Sequence, residues 1–167
     1  GTTGQLKNEL AAELCALLSF SAVKSNDKVG MILFTDRIEQ FIPPAKGVSH
    51  ALRIIRDVLG FKATGAQTNI PAALDYLGRV IRKRCVVFLV SDFLGDGYER
   101  SMRVLSRRHD LIAVTVSDPR ELALPDLGLI ELEDAETGEL VLLDSGSRRV
   151  RDCYADLGQL RMQKLRT

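Results

Sequence analysis

Histidine is scarce in this chain of 167 residues: only His50 and His109 occur, at the start of one helical stretch and the end of another. Neither sits near a nucleophile pattern, which disfavours a Ser/His/Asp triad. Cysteine is equally thin. Cys15, Cys85 and Cys153 are odd in number and widely spaced, which argues against a disulfide framework or paired metal ligands and for a reducing, cytoplasmic compartment. Cys15 and Cys85 lie within apolar stretches and read as small buried hydrophobes rather than reactive thiols.

Aromatic residues make up only 5% of the chain, leaving few platforms for stacking nucleic-acid bases. Charge of one sign is also lacking, with 23 Lys and Arg against 22 Asp and Glu, so no global field draws the protein to nucleic acid or an anionic membrane. The basic pairs Arg107-Arg108 and Arg148-Arg149 read as solvated helix ends. No apolar run approaches the ~20 residues of a membrane span, and the amino end lacks the order of a signal peptide. The glycines are dispersed and none opens a helix after a strand with phosphate-loop spacing, which disfavours nucleotide binding.

What is present is the material of one globular domain. A hydrophobic content of 46% over this length is enough to bury a real core, and one domain over residues 1–167 is expected. From Gln5 to Lys24, Leu6, Leu10, Leu14, Leu17 and Leu18 lay a stripe along a helix. Val29 to Phe34 is a compact apolar run suited to a buried strand. Arg37 to Ile42 alternates like an edge strand that Pro43 and Pro44 end, and the two strands read as a hairpin. Ser49 is placed to cap a helix through Ala51, Ile54, Ile55, Val58 and Leu59, closed by Gly60.

After a loop over Lys62 to Thr68, a helix starts near Asn69 with Pro71 in its first turn and ends on Arg82, Lys83 and Arg84. Cys85 to Val90 has the continuous apolar, β-rich character of a central parallel strand covered on both faces. A helix through Met102 and Leu105 and a second buried strand over Leu111 to Val116 follow. The tail reads as a hairpin, Leu127–Leu132 with Glu139–Leu143, and a last helix from Arg148 to Leu165. Alternating strands and helices predict an α/β fold: a doubly wound, mostly parallel Rossmann-like sheet with helices on both faces, one antiparallel edge strand, and the carboxyl-terminal hairpin and helix.

In such sheets ligands bind beyond the carboxyl ends of the parallel strands. Thr35-Asp36, Ser91-Asp92 and Ser117-Asp118 stand there, and their hydroxyls and carboxylates are hard oxygen ligands suited to Mg²⁺ or Mn²⁺. The competing reading is that these residues only cap helices and form turns.

Four segments carry a resemblance: KVGMILF at Lys28–Phe34, IPP at Ile42–Pro44, TNIPAAL at Thr68–Leu74 and VVFLVSDFL at Val86–Leu94. The pattern resembles the bacterial family called domain of unknown function 58, whose members carry a von Willebrand factor A-like domain. It extends from about Gly4 to DAETGEL at Asp134–Leu140. The resemblance implies a metal-ion-dependent adhesion site, in which Thr68 looks like the ligating threonine and Asp92 like the ligating aspartate. The Asp-x-Ser-x-Ser motif of such sites has no counterpart, because the chain runs from Gly1-Thr2-Thr3-Gly4 directly into the helix that should follow it. The expectation is therefore a domain truncated at its amino end and lacking its first strand.

Two consequences are expected. Either the strands at Val29 and Val86 close up directly, or their unpaired edges associate with another chain and give a homo-oligomer. Mg²⁺ or Mn²⁺ is expected in the intact domain, while two ligands alone hold it poorly, so that this form is expected to bind weakly or go without. The function implied is a non-enzymatic protein-interaction module, acting beside a MoxR-type AAA+ ATPase in protein assembly. The alternative is a Mg²⁺-dependent phosphoryl-transfer or hydrolytic enzyme using Asp92, with Asp36 or Asp118 nearby and Lys62 or Arg120 as the cation.

Overall fold

The computed structural model describes residues 2–65, 67–93, 96–116, 126–133, 140–153 and 155. The chain divides into two compact units, residues 1–116 and 117–167.

The first unit opens with helix α1 (Thr2–Lys24), followed by strands β1 (Val29–Phe34) and β2 (Ile38–Ala45) and helices α2 (Val48–Leu59) and α3 (Ile70–Val80). Strand β3 (Val86–Ser91), helix α4 (Glu99–Ser106) and strand β4 (Asp110–Thr115) complete it. The second unit contains strands β5 (Leu129–Glu133) and β6 (Leu140–Asp144). Residues 148–153 are helical, and the remainder of the expected last helix, apart from residue 155, lies outside the described residues.

The mixed α/β class holds, but the single doubly wound sheet does not appear among the described residues. Three two-stranded sheets stand in its place: β1–β2 antiparallel, β3–β4 parallel and β5–β6 antiparallel. Among the described residues strands β1 and β3 do not close up on each other: β1 pairs with β2 and β3 with β4.

The hairpin β1–β2 is covered on two faces. Consecutive strand residues point to opposite sides, and Gln40 donates to Asp57 of α2 at 2.9 Å while Phe41 meets Tyr76 of α3 edge to face at 5.8 Å. Ile42 and Ile54 are fully buried, each stabilising the fold by about 1.5–3 kcal/mol. His50 ties α2 to the hairpin through its Nε2 and the Val29 carbonyl, 2.9 Å apart.

Pro43 and Pro44 do not end β2, contrary to expectation. The register passes from Val29 opposite Ala45 to Met31 opposite Ile42, so Gly30 alone faces both prolines in a bulge, where no ladder hydrogen bond is asked of them. A Cβ at Gly30 would lie 2.8 Å from the Ile42 carbonyl oxygen, which is why a residue without one stands there.

Three helix expectations also change. Helix α2 begins at Val48 with Gly47 at its cap and no side-chain cap bond, so Ser49 lies inside the first turn. Helix α3 does start from Asn69, whose Oδ1 accepts the Ala72 amide at 3.0 Å, but it ends at Val80. Arg82, Lys83 and Arg84 therefore fall beyond it, and Arg84 instead pairs with Asp110 at 2.6 Å. Among the described side chains of α1, Ala12 and Ser19 are buried, whereas Leu10 and Leu17 of the expected stripe are exposed.

Strand β3 was expected to be covered on both faces. Val87 and Leu89 are buried, but Val86 and Phe88 are exposed, as is Ile112 of β4. Helices α3 and α4 pack on each other, with Leu105 of α4 buried and Gly78 of α3 admitting its Cδ1 closely.

Candidate functional site

The end of β1 holds a dense polar cluster. Thr35 is buried and acts as its hub: its amide donates to the Arg37 carbonyl at 2.8 Å and its carbonyl accepts the Asn69 amide at 2.8 Å. Its hydroxyl lies 2.8 Å from Glu39 Oε1 and 3.0 Å from Asp36 Oδ1. Glu39 reaches from β2 to the loop before α3, where it accepts the Thr64 amide at 3.2 Å, the Gly65 amide at 3.1 Å and the Thr64 hydroxyl at 2.7 Å. The hydroxyls of Thr64 and Thr35 hold its carboxyl well down, at about 2.

Gly65 is pressed against this turn. A Cβ there would overlap Asp36 Oδ1 and Thr35 Oγ1. Three residues on, Thr68 is exposed, immediately before the Asn69 that is pinned to Thr35 and caps α3. Of the expected residues, Thr35, Asp36 and Thr68 thus share one neighbourhood at the end of β1. Lys62 is exposed in the same loop.

At the end of β3, the Ser91 hydroxyl accepts the Phe93 amide at 3.2 Å, and Asp92 between them is half-buried. Phe93 has φ of 54°, a left-handed conformation that is rare and strained for a bulky residue and tends to mark functional turns. Its ring is buried and packs against Tyr98 at 5.4 Å, contacts that hold the strained turn in place. Strand β4 runs level with β3, Ser91 beside Thr115, and the Val116 amide extends the ladder to the Ser91 carbonyl at 3.0 Å. Ser117, Asp118 and Arg120 lie outside the described residues.

The donor chemistry of Thr68 and Asp92, a hydroxyl and a carboxylate, suits a hard divalent cation. Their number is short of a six-oxygen shell, and among the described residues no three His, Cys, Asp or Glu side chains gather to hold a metal.

At the opposite end of the β3–β4 pair, Cys85 Sγ lies 3.4 Å from His109 Nδ1, a proximity the sequence did not signal. Burial pushes the thiol up and the imidazole down, so both are held neutral, the reverse of an activated thiolate–imidazolium pair. Burial likewise raises the Cys15 thiol.

Glu39 is the member of the site that sequence reasoning missed. Its one signal is positional: it shares a strand face with Phe41, where the edge-strand reading leaves a charge no stated partner.

A family described as "Protein of unknown function DUF58" matches residues 1–164. The chain is similar to the uncharacterized protein Mb1516 of Mycobacterium bovis and the uncharacterized protein Rv1480 of Mycobacterium tuberculosis. Each is 30% identical over 141 residues, which cover 83% of this chain and 44% of the relative. The uncharacterized protein MAV169 of Mycobacterium avium is 40% identical over 75 residues, 44% of each chain. The chain thus spans less than half the length of the curated relatives it matches. No solved structure matches it at a significant level. Among the described residues no helix is long and apolar enough to cross a membrane.

Proposed function

The chain belongs to the DUF58 family, and on that premise we propose that it is a von Willebrand factor A-like protein-interaction module that captures a partner through a divalent cation. Thr68 and Asp92 supply two hard oxygens to Mg²⁺ or Mn²⁺, and a carboxylate of the partner protein together with water fills the remaining positions; no bond is broken. The observation that carries this reading is the turn after β3: a buried aromatic residue is held in a left-handed conformation directly after Asp92, the kind of strain that persists where a side chain must be aimed. The exposure of Thr68 beside the equally constrained end of β1 adds to it. A MoxR-type AAA+ ATPase is the partner implied by the family resemblance.

The edges of β1 and β3 that are unpaired among the described residues and the exposed Val86, Phe88 and Ile112 also support self-association of this chain, a state that light scattering over a concentration series reads directly. Nothing observed at Asp92 favours the phosphoryl-transfer alternative over partner capture.

Calorimetric titration with Mg²⁺ and Mn²⁺ tests the proposal on this chain, its Asp92→Ala and Thr68→Ala variants, and a longer form of the protein. Binding that is lost on either substitution is the expected result. No binding in any form sinks the cation-mediated reading.

A further inference from the structure

The geometry points to Glu39 as a positioning residue, whose carboxylate latches the loop before α3 onto the β1–β2 turn and thereby fixes where Thr68 sits. The inference rests on the proposed role of Thr68, but the latch itself is a matter of geometry. Glu39 sits on β2, 29 positions before Thr68 in the chain, yet its two oxygens gather the donors of the intervening loop. Oε1 accepts the amides of Thr64 and Gly65, at 3.2 and 3.1 Å. The Thr64 hydroxyl lies 2.7 Å from both Oε1 and Oε2. Thr35 approaches from β1 at 2.8 Å. Arg37 stands 3.7 Å from Oε1 and donates to the Thr64 hydroxyl at 3.1 Å, closing the ring of contacts.

A carboxylate has about four lone-pair positions; here Oε1 is crowded by the protein's own donors, and Oε2 lies beside the Thr64 hydroxyl. Glu39 is thereby engaged in holding the loop's backbone. Hydrogen bonds to an ionised acceptor are the strong kind, and two of these restrain main-chain amides, which is the most direct way to fix a loop.

The close approach of Gly65 is independent support. Its Cα lies so near Thr35 and Asp36 that no side chain fits, so the loop is drawn against the turn and not merely adjacent to it. Asn69 supplies the second anchor through the Thr35 carbonyl. Thr68 lies between these two pinned points, one residue from one and three from the other. A threonine on a loop tethered at both ends presents its hydroxyl with little ordering left to do on binding, and preorganisation of that kind lowers the entropic cost of capturing a ligand.

The test is amide hydrogen exchange by NMR on the full chain and its Glu39→Gln and Glu39→Ala variants, with Mn²⁺ broadening of the Thr68 resonances as a second readout. Glu39→Ala is expected to lose at least about tenfold protection at Thr64 and Gly65, to shift the Thr68 resonances, and to weaken Mn²⁺ broadening there several-fold. Glu39→Gln retains one carbonyl acceptor and is expected to recover part of all three effects. Unchanged exchange of Val87 and Leu89 in both variants shows that the fold survives. The latch is overturned if Thr64 and Gly65 stay protected in Glu39→Ala, or if they lose protection while the Thr68 resonances do not move. Absence of Mn²⁺ broadening in the wild-type chain overturns the cation reading alone, and the Thr68 shifts then decide the latch.

Discussion

The β1–β2 hairpin and the β3–β4 pair are both two-stranded, but they are stabilised by different means. The hairpin lies between α2 and α3, with Ile42 buried, a side-chain bond to Asp57 on one face and the Phe41–Tyr76 contact on the other; its open end is tied by Thr35 and Glu39. Among the described residues the parallel pair buries Val87 and Leu89 on one face and leaves Val86, Phe88 and Ile112 exposed on the other. Its carboxyl end is shaped by one strained turn, at Phe93. Contacts on both faces and a glycine opposite the bulge let the hairpin carry two prolines, whereas the parallel pair depends on what its covered face supplies.

Substitutions separate the two regions. The largest effect is expected from Ile42→Ala or Ile54→Ala, each costing about 2–5 kcal/mol by transfer loss and cavity formation; Val86→Ala on the bare face should stay within about 0.5 kcal/mol. Equal urea midpoints for these variants would show that the exposed face is covered in solution. Next, Gly65→Ala should cost about 1–3 kcal/mol, because the new methyl has no space against Thr35 and Asp36. A Gly65→Ala variant as stable as the wild type would mean that the loop stands off the turn.

The strained turn can be read by a pair of variants. Phe93→Gly and Phe93→Ala lose the same buried ring, but glycine accepts a φ of 54° without penalty, so the glycine variant should be the more stable by about 0.4–1 kcal/mol. An alanine variant at least as stable as the glycine one would remove the argument from strain.

A pH titration is expected to distinguish the hairpin's latch. Glu39 has its folded-state value lowered to about 2 by the hydroxyls of Thr64 and Thr35, against roughly 4.3 when unfolded. Its contribution is thus fully present above the unfolded value and lost as pH falls toward 2. Asp36 and Arg37 are the charged neighbours present in both forms. Thermal melts from pH 6 to 2 should show a steeper acid decline in the wild type than in Glu39→Gln, and parallel curves would contradict the lowered value. The smallest effect belongs to Arg84→Ala: its pair with Asp110 is exposed on both sides, so the urea midpoint should not move measurably, and any dependence should vanish in high salt.

Where the sequence was readable, a local physical rule decided the matter. Asn69 with Pro71 announced the start of α3, and the apolar runs at Val29 and Val86 located β1 and β3 to within a residue. Rules fail where a distant partner decides. Pro43 and Pro44 stay in β2 because Gly30 yields space across the bulge, Arg84 is taken from the helix end by Asp110, and Val86 and Phe88 look buried until one asks which helix would lie on them. Thr35 and Asp36 were singled out at the strand end, but Glu39, which organises them, carries no motif. Its importance comes from donors 25 and 26 positions away.

The connections have a consequence for the order in which these parts can form. The hairpin joins its strands across Thr35–Arg37, whereas β3 and β4 are separated by 18 residues that include α4. Closing the longer connection costs roughly 1–2 kcal/mol more chain entropy, and local contacts of the shorter kind generally appear sooner. The hairpin is therefore expected to form first, whereas α3 reaches it across the 24 residues between Ala45 and Ile70, so the segment that carries Thr68 is expected to settle on the timescale of the parallel pair rather than on that of the hairpin.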